Sequence, residues 1–378
     1  MKKNFQTKKN TQKKFANKKI LLIFLLTFLN NLYNIKSKQL DCEKGFPFLS
    51  IGDFNLTKQN FKQKIADNKN LLIQITSETC KPCCRYERQI HYIKKQFLDN
   101  KDSLLGEYDI KLGRINLAKA SWFEEIDKEN HKVPHLPYWI FYRNGKPYSF
   151  VAPKNEKLIV LNILKILEPY HLIQSYKNFE LFLNNTDTDD SGRLLMRTKI
   201  LAMFENLEEY DEILKAFLQT ADHLIWRLDL TFAVITNRQV LKEIYKNFGK
   251  KFFEEKFDKN SIVIFSHKNK FEDEDRIIKL SDFNPGKGFK DVQTWIMTSS
   301  TLVMDEFTSL NQKAYRKDIP LLIAFVDPDD YTASYNLISG LRSLGSSPRY
   351  LGRINFVWIN YLDNKKLMKD LGLYNKKY

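Results

Sequence analysis

The sequence predicts an α/β protein of three similar units in tandem, the third incomplete. Three observations carry that prediction. β-prone runs alternate with segments of helical period from residue 51 onward. The rhythm restarts twice, near residues 171 and 298. At 378 residues the chain is too long for one average domain, and at the usual ~100–200 residues per domain it holds two or three.

Residues 1–40 stand apart. They hold ten Lys and no Asp or Glu, and run into the apolar block Ile20–Leu29, which Asn30, Asn31 and Asn34 then break. A spanning helix needs roughly 20 apolar residues, so the block reads as the h-region of a signal peptide. An uncleaved signal anchor stays open, because no small-residue cleavage site stands between Asn30 and Cys42. A mitochondrial presequence fits less well, since the segment has no Arg and its apolar block is continuous. Most of the formal +16 charge is this leader, and the rest of the chain has no basic stripe interleaved with aromatics. Nucleic-acid binding is therefore not expected.

The first unit, residues 45–170, reads as a helix at 57–65, a strand at 71–75 and a helix running from the cysteines to about 97. A strand at 110–115 and a charged helix at 123–130 follow. Asn144-Gly145 between two aromatic, β-prone runs marks a hairpin, and residues 158–167 form a closing helix. The second unit, 171–297, contains a polar turn-rich stretch at 184–192. It shows strands at 199–204, 231–236 and 261–265 and helices at 207–221 and 239–247. The third, 298–378, shows strands at 321–326 and 353–360, a helix at 335–344 and another from Asp363.

Cysteine chemistry is confined to the first unit. Cys42, Cys80, Cys83 and Cys84 are too few and too clustered to staple a chain this long. Cys80-Lys81-Pro82-Cys83 sits where a strand ends and a helix begins. Unpaired N–H groups and the helix dipole there favour a thiolate, and Lys81, Arg85 and Arg88 push the same way. The spacing brings Cys83 back to Cys80 across one turn, so the outer cysteine attacks and Cys83 resolves the mixed disulfide. Two alternatives stand beside this reading. Inert burial suits free cysteine, and a zinc site would need a fourth ligand that is missing here, so no metal is expected. Cys84 is expected to face the core, and Cys42 to be a free thiol or an intermolecular partner. Asn55-Leu-Thr57 and Asn184-Asn-Thr186 match the glycosylation acceptor pattern and are compatible with secretion.

With these residues in view, Asn55 to Phe150 resembles the catalytic thioredoxin-like domain of protein disulfide isomerases. "NLTKQNFKQKIADNKNLLIQITSETCKPCC" has the family's helix, central strand and CxxC in order. The resemblance implies a cis-proline facing the cysteines. Pro137 is the matching position, Pro134 the competing one, and Leu136 and Pro137 would line the substrate groove. "KILAMFENLEEYDEILKAFLQTADHL" through "SIVIFSHKN" is similar to the redox-inactive second domain of those isomerases, and "PLLIAFVDPDD" with "YLGRINFVWINYLDNKKLMKDLGL" to the opening half of their third. Five positions depart from the family. Thr79 replaces the usual Trp, Lys-Pro replaces Gly-His, Arg88 replaces a helix-kinking proline, and Gln74 stands where relatives keep a buried acid. An amide cannot take a proton from Cys83.

The resemblance implies a thiol-disulfide oxidoreductase of the endoplasmic reticulum lumen, without cofactor. Its partners would be unfolded or cysteine-containing polypeptides and thiol redox partners such as glutathione or an oxidase, with membrane contact only if the leader stays uncleaved. The departures suggest the rival, a redox-inactive chaperone or adaptor that binds unfolded chains. A soluble reductase outside the secretory pathway would require residues 1–40 not to be a signal.

Overall fold

A computed structural model describes residues 52–373 except 102, 104, 127–132, 134, 152–155, 185–197, 205–206, 249–260, 267–275, 281–287, 302–303, 309–310, 316–317 and 351–352. The leader, Cys42, Pro134, the turn-rich stretch beyond Asn184 and the end of the helix expected at 123–130 lie outside the described residues. The chain divides into two compact units, one ending at Pro169 and the other beginning at Tyr170.

The first unit is built on a five-stranded sheet of β1 (Phe54–Asn55), β2 (Asn70–Thr76), β3 (Ile110–Asn116), β4 (Tyr138–Arg143) and β5 (Lys146–Val151). Its order is β1-β3-β2-β4-β5, with the first three strands parallel and the last two antiparallel. Between them run α1 (Phe61–Asp67), α2 (Lys81–Ile93), α3 (Ser121–Ile126) and, after β5, α4 (Glu156–Leu167). The central strand β2 is buried along its whole length, which is why it reads as a continuous apolar run. Its alternate residues serve two cores. Leu71, Ile73 and Ile75 pack with Phe61, Ile115, Phe123 and Ile140 on one face, and Leu72, Gln74 and Thr76 are buried on the other.

Two backbone positions explain local sequence choices. A Cβ on Gly113 would stand 2.8 Å from Leu56 Cδ1, so glycine lets the segment after β1 lie against β3. Asn144 and Gly145, at φ 51° and 77°, form the two-residue turn of the β4–β5 hairpin. α1 begins at Phe61, not at Thr57 as the sequence suggests. Asn60 Oδ1 accepts from Thr57 N at 2.8 Å and closes a turn first. α2 runs unbroken through Arg88, and a π-helical turn, Lys94–Leu98, follows it.

The second unit carries two sheets. The larger comprises β6 (His171–Leu172), β7 (Thr198–Met203), β8 (Leu230–Ile235), β9 (Ser261–Ser266) and β10 (Arg276–Lys279). Read from the other edge its order is β6-β8-β7-β9-β10, again three parallel strands and then two antiparallel. It repeats the first sheet. α5 (Tyr176–Asn184) and α7 (Arg238–Phe248) pack on one face; α6 (Leu207–His223) and α8 (Phe289–Ser300) pack on the other. The smaller sheet, β11 (Asp305–Glu306), β12 (Leu321–Val326) and β13 (Asn355–Asn360), has order β11-β13-β12 and is parallel throughout. It repeats only the parallel half, with α9 (Tyr331–Gly345) and α10 (Lys365–Asp370). Five of these elements, β6, α5, β10, α8 and β11, are absent from the sequence reading. Among the described residues no helix is long and apolar enough to cross a membrane.

Candidate functional site

β2 ends at Thr76, and residues 77–80 deliver the chain to α2. Ser77 shapes the loop: its carbonyl accepts from Cys80 N at 3.1 Å, and its hydroxyl lies 3.0 Å from that of Thr79. Cys80 is the N-cap, with extended backbone (φ −87°, ψ 96°), and its sulfur accepts from Cys83 N at 3.2 Å. Pro82 falls in the first turn, where its missing N–H costs no hydrogen bond within the helix.

Cys80 and Cys83 are joined in a disulfide with Cα atoms 5.3 Å apart. The two sulfurs differ in access. Cys80 is half-buried and Cys83 is 0% exposed. Of the two, Cys80 is thus the more accessible residue. The side chains of Lys81, Cys84, Arg85 and Arg88 lie outside the described residues, and with them the burial expected of Cys84 and the charges expected beside Cys80.

Leu136 and Pro137 enter from β4. The Leu136–Pro137 peptide is cis, Pro137 is buried, and Leu136 packs on the cluster that includes Phe61 and Tyr138. Tyr138, the next residue, pairs with Ile75 of β2. The strand pairing thus brings Pro137 to the end of the sheet from which Cys80 emerges.

In register with Gln74, a position the sequence already singled out, Arg114 belongs to a buried ion pair that sequence reasoning missed. Gln74 is 0% exposed, and neither its amide oxygen nor its nitrogen has a hydrogen-bond partner among the described residues. In register it stands between Arg114 of β3 and Trp139 of β4. Arg114 donates to Glu87 Oε1 of α2 in an ion pair almost wholly removed from water. Burial raises the Glu87 pKa above the usual carboxylate range, against the pull of Arg114, and burial also lowers the Arg114 pKa. A signal for the pair exists. Arg114 interrupts the apolar strand Ile110–Ile115, and Glu87 is the one acid in α2, four residues after Cys83.

Among the described residues no group of three or more His, Cys, Asp or Glu is placed to hold a metal ion.

Residues 53–165 match the family model described as Thioredoxin. A search by sequence among characterised proteins gives no match. Among solved structures, the chain is similar to human ERp44 form I at 14% identity and a TM-score of 0.42, covering 84% of this chain and 74% of that one. The bb fragment of ERp72 is similar at 18% identity and 0.37, covering 56% and 82%. ERdj5 form II is similar at 11% identity and 0.26, covering 86% and 39%. The chain is a tandem array of thioredoxin-fold units, the third smaller, and its first unit is a thioredoxin-fold domain whose Cys80–Cys83 pair closes a disulfide.

Proposed function

We propose that the protein is a thiol-disulfide oxidoreductase of the protein disulfide isomerase type, acting on folding secretory proteins in the endoplasmic reticulum lumen. One observation carries the reading: the disulfide caps a helix with a reachable outer sulfur and an enclosed inner one. In the reduced form, Cys80 thiolate attacks a substrate disulfide and expels one substrate thiolate. Cys83 then attacks Cys80 Sγ, closes the 80–83 disulfide and releases the second substrate sulfur. The reverse sequence oxidises a substrate dithiol. Leu136 and Pro137 line the groove that holds the substrate chain. The units at 171–297 and 298–378, which contain no cysteine, hold unfolded polypeptide, and glutathione or an oxidase resets the pair. The lysine-rich leader supports the compartment.

Gln74, a buried amide on β2, favours a second reading, a chaperone or adaptor whose cysteines no longer turn over. Equilibration with glutathione separates the two. A Cys80/Cys83 potential near about −180 mV places the pair with the isomerases, and one near about −270 mV makes it a reductase. Failure to equilibrate at all leaves the chaperone. Cys83→Ala is the control: it should accumulate a mixed disulfide at Cys80, visible by mass spectrometry.

A further inference from the structure

We infer that Glu87, on the helix, is the proton acceptor for Cys83, a role that rests on the exchange reaction proposed above. To resolve a mixed disulfide, Cys83 must lose its proton, yet it is 0% exposed and water has no free access to it. A buried thiol needs a buried base. Gln74, on the strand beneath, cannot serve, because an amide does not take a proton. Glu87 lies four residues after Cys83 on α2, one turn along the same face, and is itself only 2% exposed.

The two carboxylate oxygens of Glu87 are not equivalent. Oε1 is held by Arg114, whereas Oε2 is buried with no hydrogen-bond partner among the described residues. An unsatisfied carboxylate oxygen in that position is costly, and a proton arriving on it relieves the cost. Among the described residues Arg114, from β3, is the charged group acting on Glu87; Gln74 and Trp139, from β2 and β4, carry no charge, and Cys83 is the titratable neighbour one turn back. Burial places the Glu87 pKa higher than that of a free carboxylate and closer to that of a thiol, which narrows the gap across which the proton must move.

The step balances as follows. The Cys83 Sγ–H bond breaks, and its proton passes to Glu87 Oε2. The thiolate pair attacks Cys80 Sγ, forming the Cys80–Cys83 bond as the Cys80–substrate bond breaks. The substrate sulfur leaves as thiolate. Glu87 holds the proton until the 80–83 disulfide is next opened, when Cys83 leaves as thiolate and takes it back.

An aryl disulfide such as dithiobis-nitrobenzoate resolves the two stages, because each liberates one coloured thiolate: the first on attack by Cys80, the second on resolution by Cys83. In the full chain carrying Cys42→Ser and Cys84→Ser, Glu87→Gln should leave the first release unchanged and slow the second on the order of 10²-fold. The pH profile of the second release should also change. It levels off once Glu87 is ionised in the parent, and in the variant it should rise about tenfold per pH unit, following the Cys83 thiol alone. If Glu87→Gln does not fold because Arg114 is stranded, Glu87→Gln with Arg114→Met removes both charges, and the same slowing is expected. A second release at the parent rate and with the parent profile, in either variant, overturns the role of Glu87. Absence of the first release in the parent instead overturns the exchange reaction and this step with it.

Discussion

At the scale of single residues, the buried Glu87–Arg114 pair has consequences for stability apart from any chemistry. Taking two charges out of water is repaid only while both are present. Arg114→Met should therefore cost about 3–5 kcal/mol at neutral pH, read from urea unfolding, because it strands the carboxylate. The cost should depend on pH in a defined sense. Burial raises the folded-state pKa of Glu87 above its unfolded value, and losing Arg114 raises it further. Such a group's contribution is fully present below the unfolded pKa, about 4.3, and is lost as pH rises through the folded pKa. Arg114→Met should be less damaging at pH 4 than at pH 7; equal damage at both would mean the carboxylate is not what is stranded. The cysteine pair could be read directly because its chemistry is local, three residues apart at the seam between strand and helix. Glu87 and Arg114 are 27 residues apart, and only the β2–β3 register and the docking of α2 bring them together. An apolar strand interrupted by Arg was the visible trace of that.

At the scale of elements, the hairpin and the first helix of the second unit each depend on one small device. A Cβ on Gly145 would meet nothing within 4 Å, so Gly145→Ala is opposed by backbone conformation alone. It should cost about 1–2 kcal/mol in a thermal melt, and a larger loss would show that the turn is crowded after all. Lys199, in the middle of β7, is 2% exposed and sends its ammonium to the carbonyls of Phe182 and Leu183, at 2.5 and 3.0 Å. These are orphan acceptors at the end of α5, and the charge also suits the negative end of its dipole. Lys199→Met should cost roughly 1–3 kcal/mol by chemical denaturation, since two enclosed carbonyls lose their donor. α5 itself escaped sequence reading although Tyr176, Phe179 and Leu183 have helical spacing and Ser175 accepts from Asn178 N at its start. It lies just past the boundary between units, in a stretch to which the sequence reading assigned no element. β6 and β11 are two residues long, too short for any periodicity to show, and β10 is only four.

At the scale of the whole molecule, the three sheets share one plan at different levels of completeness. The first two place three parallel strands beside two antiparallel ones, and the third stops at the parallel three. That plan was legible because its central strands are buried on both faces and read as apolar runs, as at Leu71–Ile75 and Leu230–Ile235. The edges were not, because edge strands are short and their burial depends on helices packed from elsewhere in the sequence. Each compact unit has its own cores. Calorimetry should accordingly resolve more than one unfolding transition. Reductant should move the transition of the first unit only, since Cys80 and Cys83 both belong to it. A uniform shift of every transition would mean that the cores melt as one.

The N-cap position of Cys80 makes heat a voltmeter for this protein. Folding the oxidised chain, folding the reduced chain, and reducing each of them form a closed thermodynamic cycle. The difference in folding free energy between the two redox forms must therefore equal the difference in potential between the folded disulfide and the same two cysteines in an unfolded chain. At the head of α2 a thiolate would receive the Cys83 N–H that the disulfide sulfur now accepts, with a full charge to offer it. In the unfolded chain there is no helix end to greet it. If the reduced form melts higher, folding has made the pair a stronger electron acceptor; if it melts lower, a stronger donor. The sign of one melting-temperature difference thus says whether folding makes the pair more oxidising or more reducing than the same two cysteines unfolded.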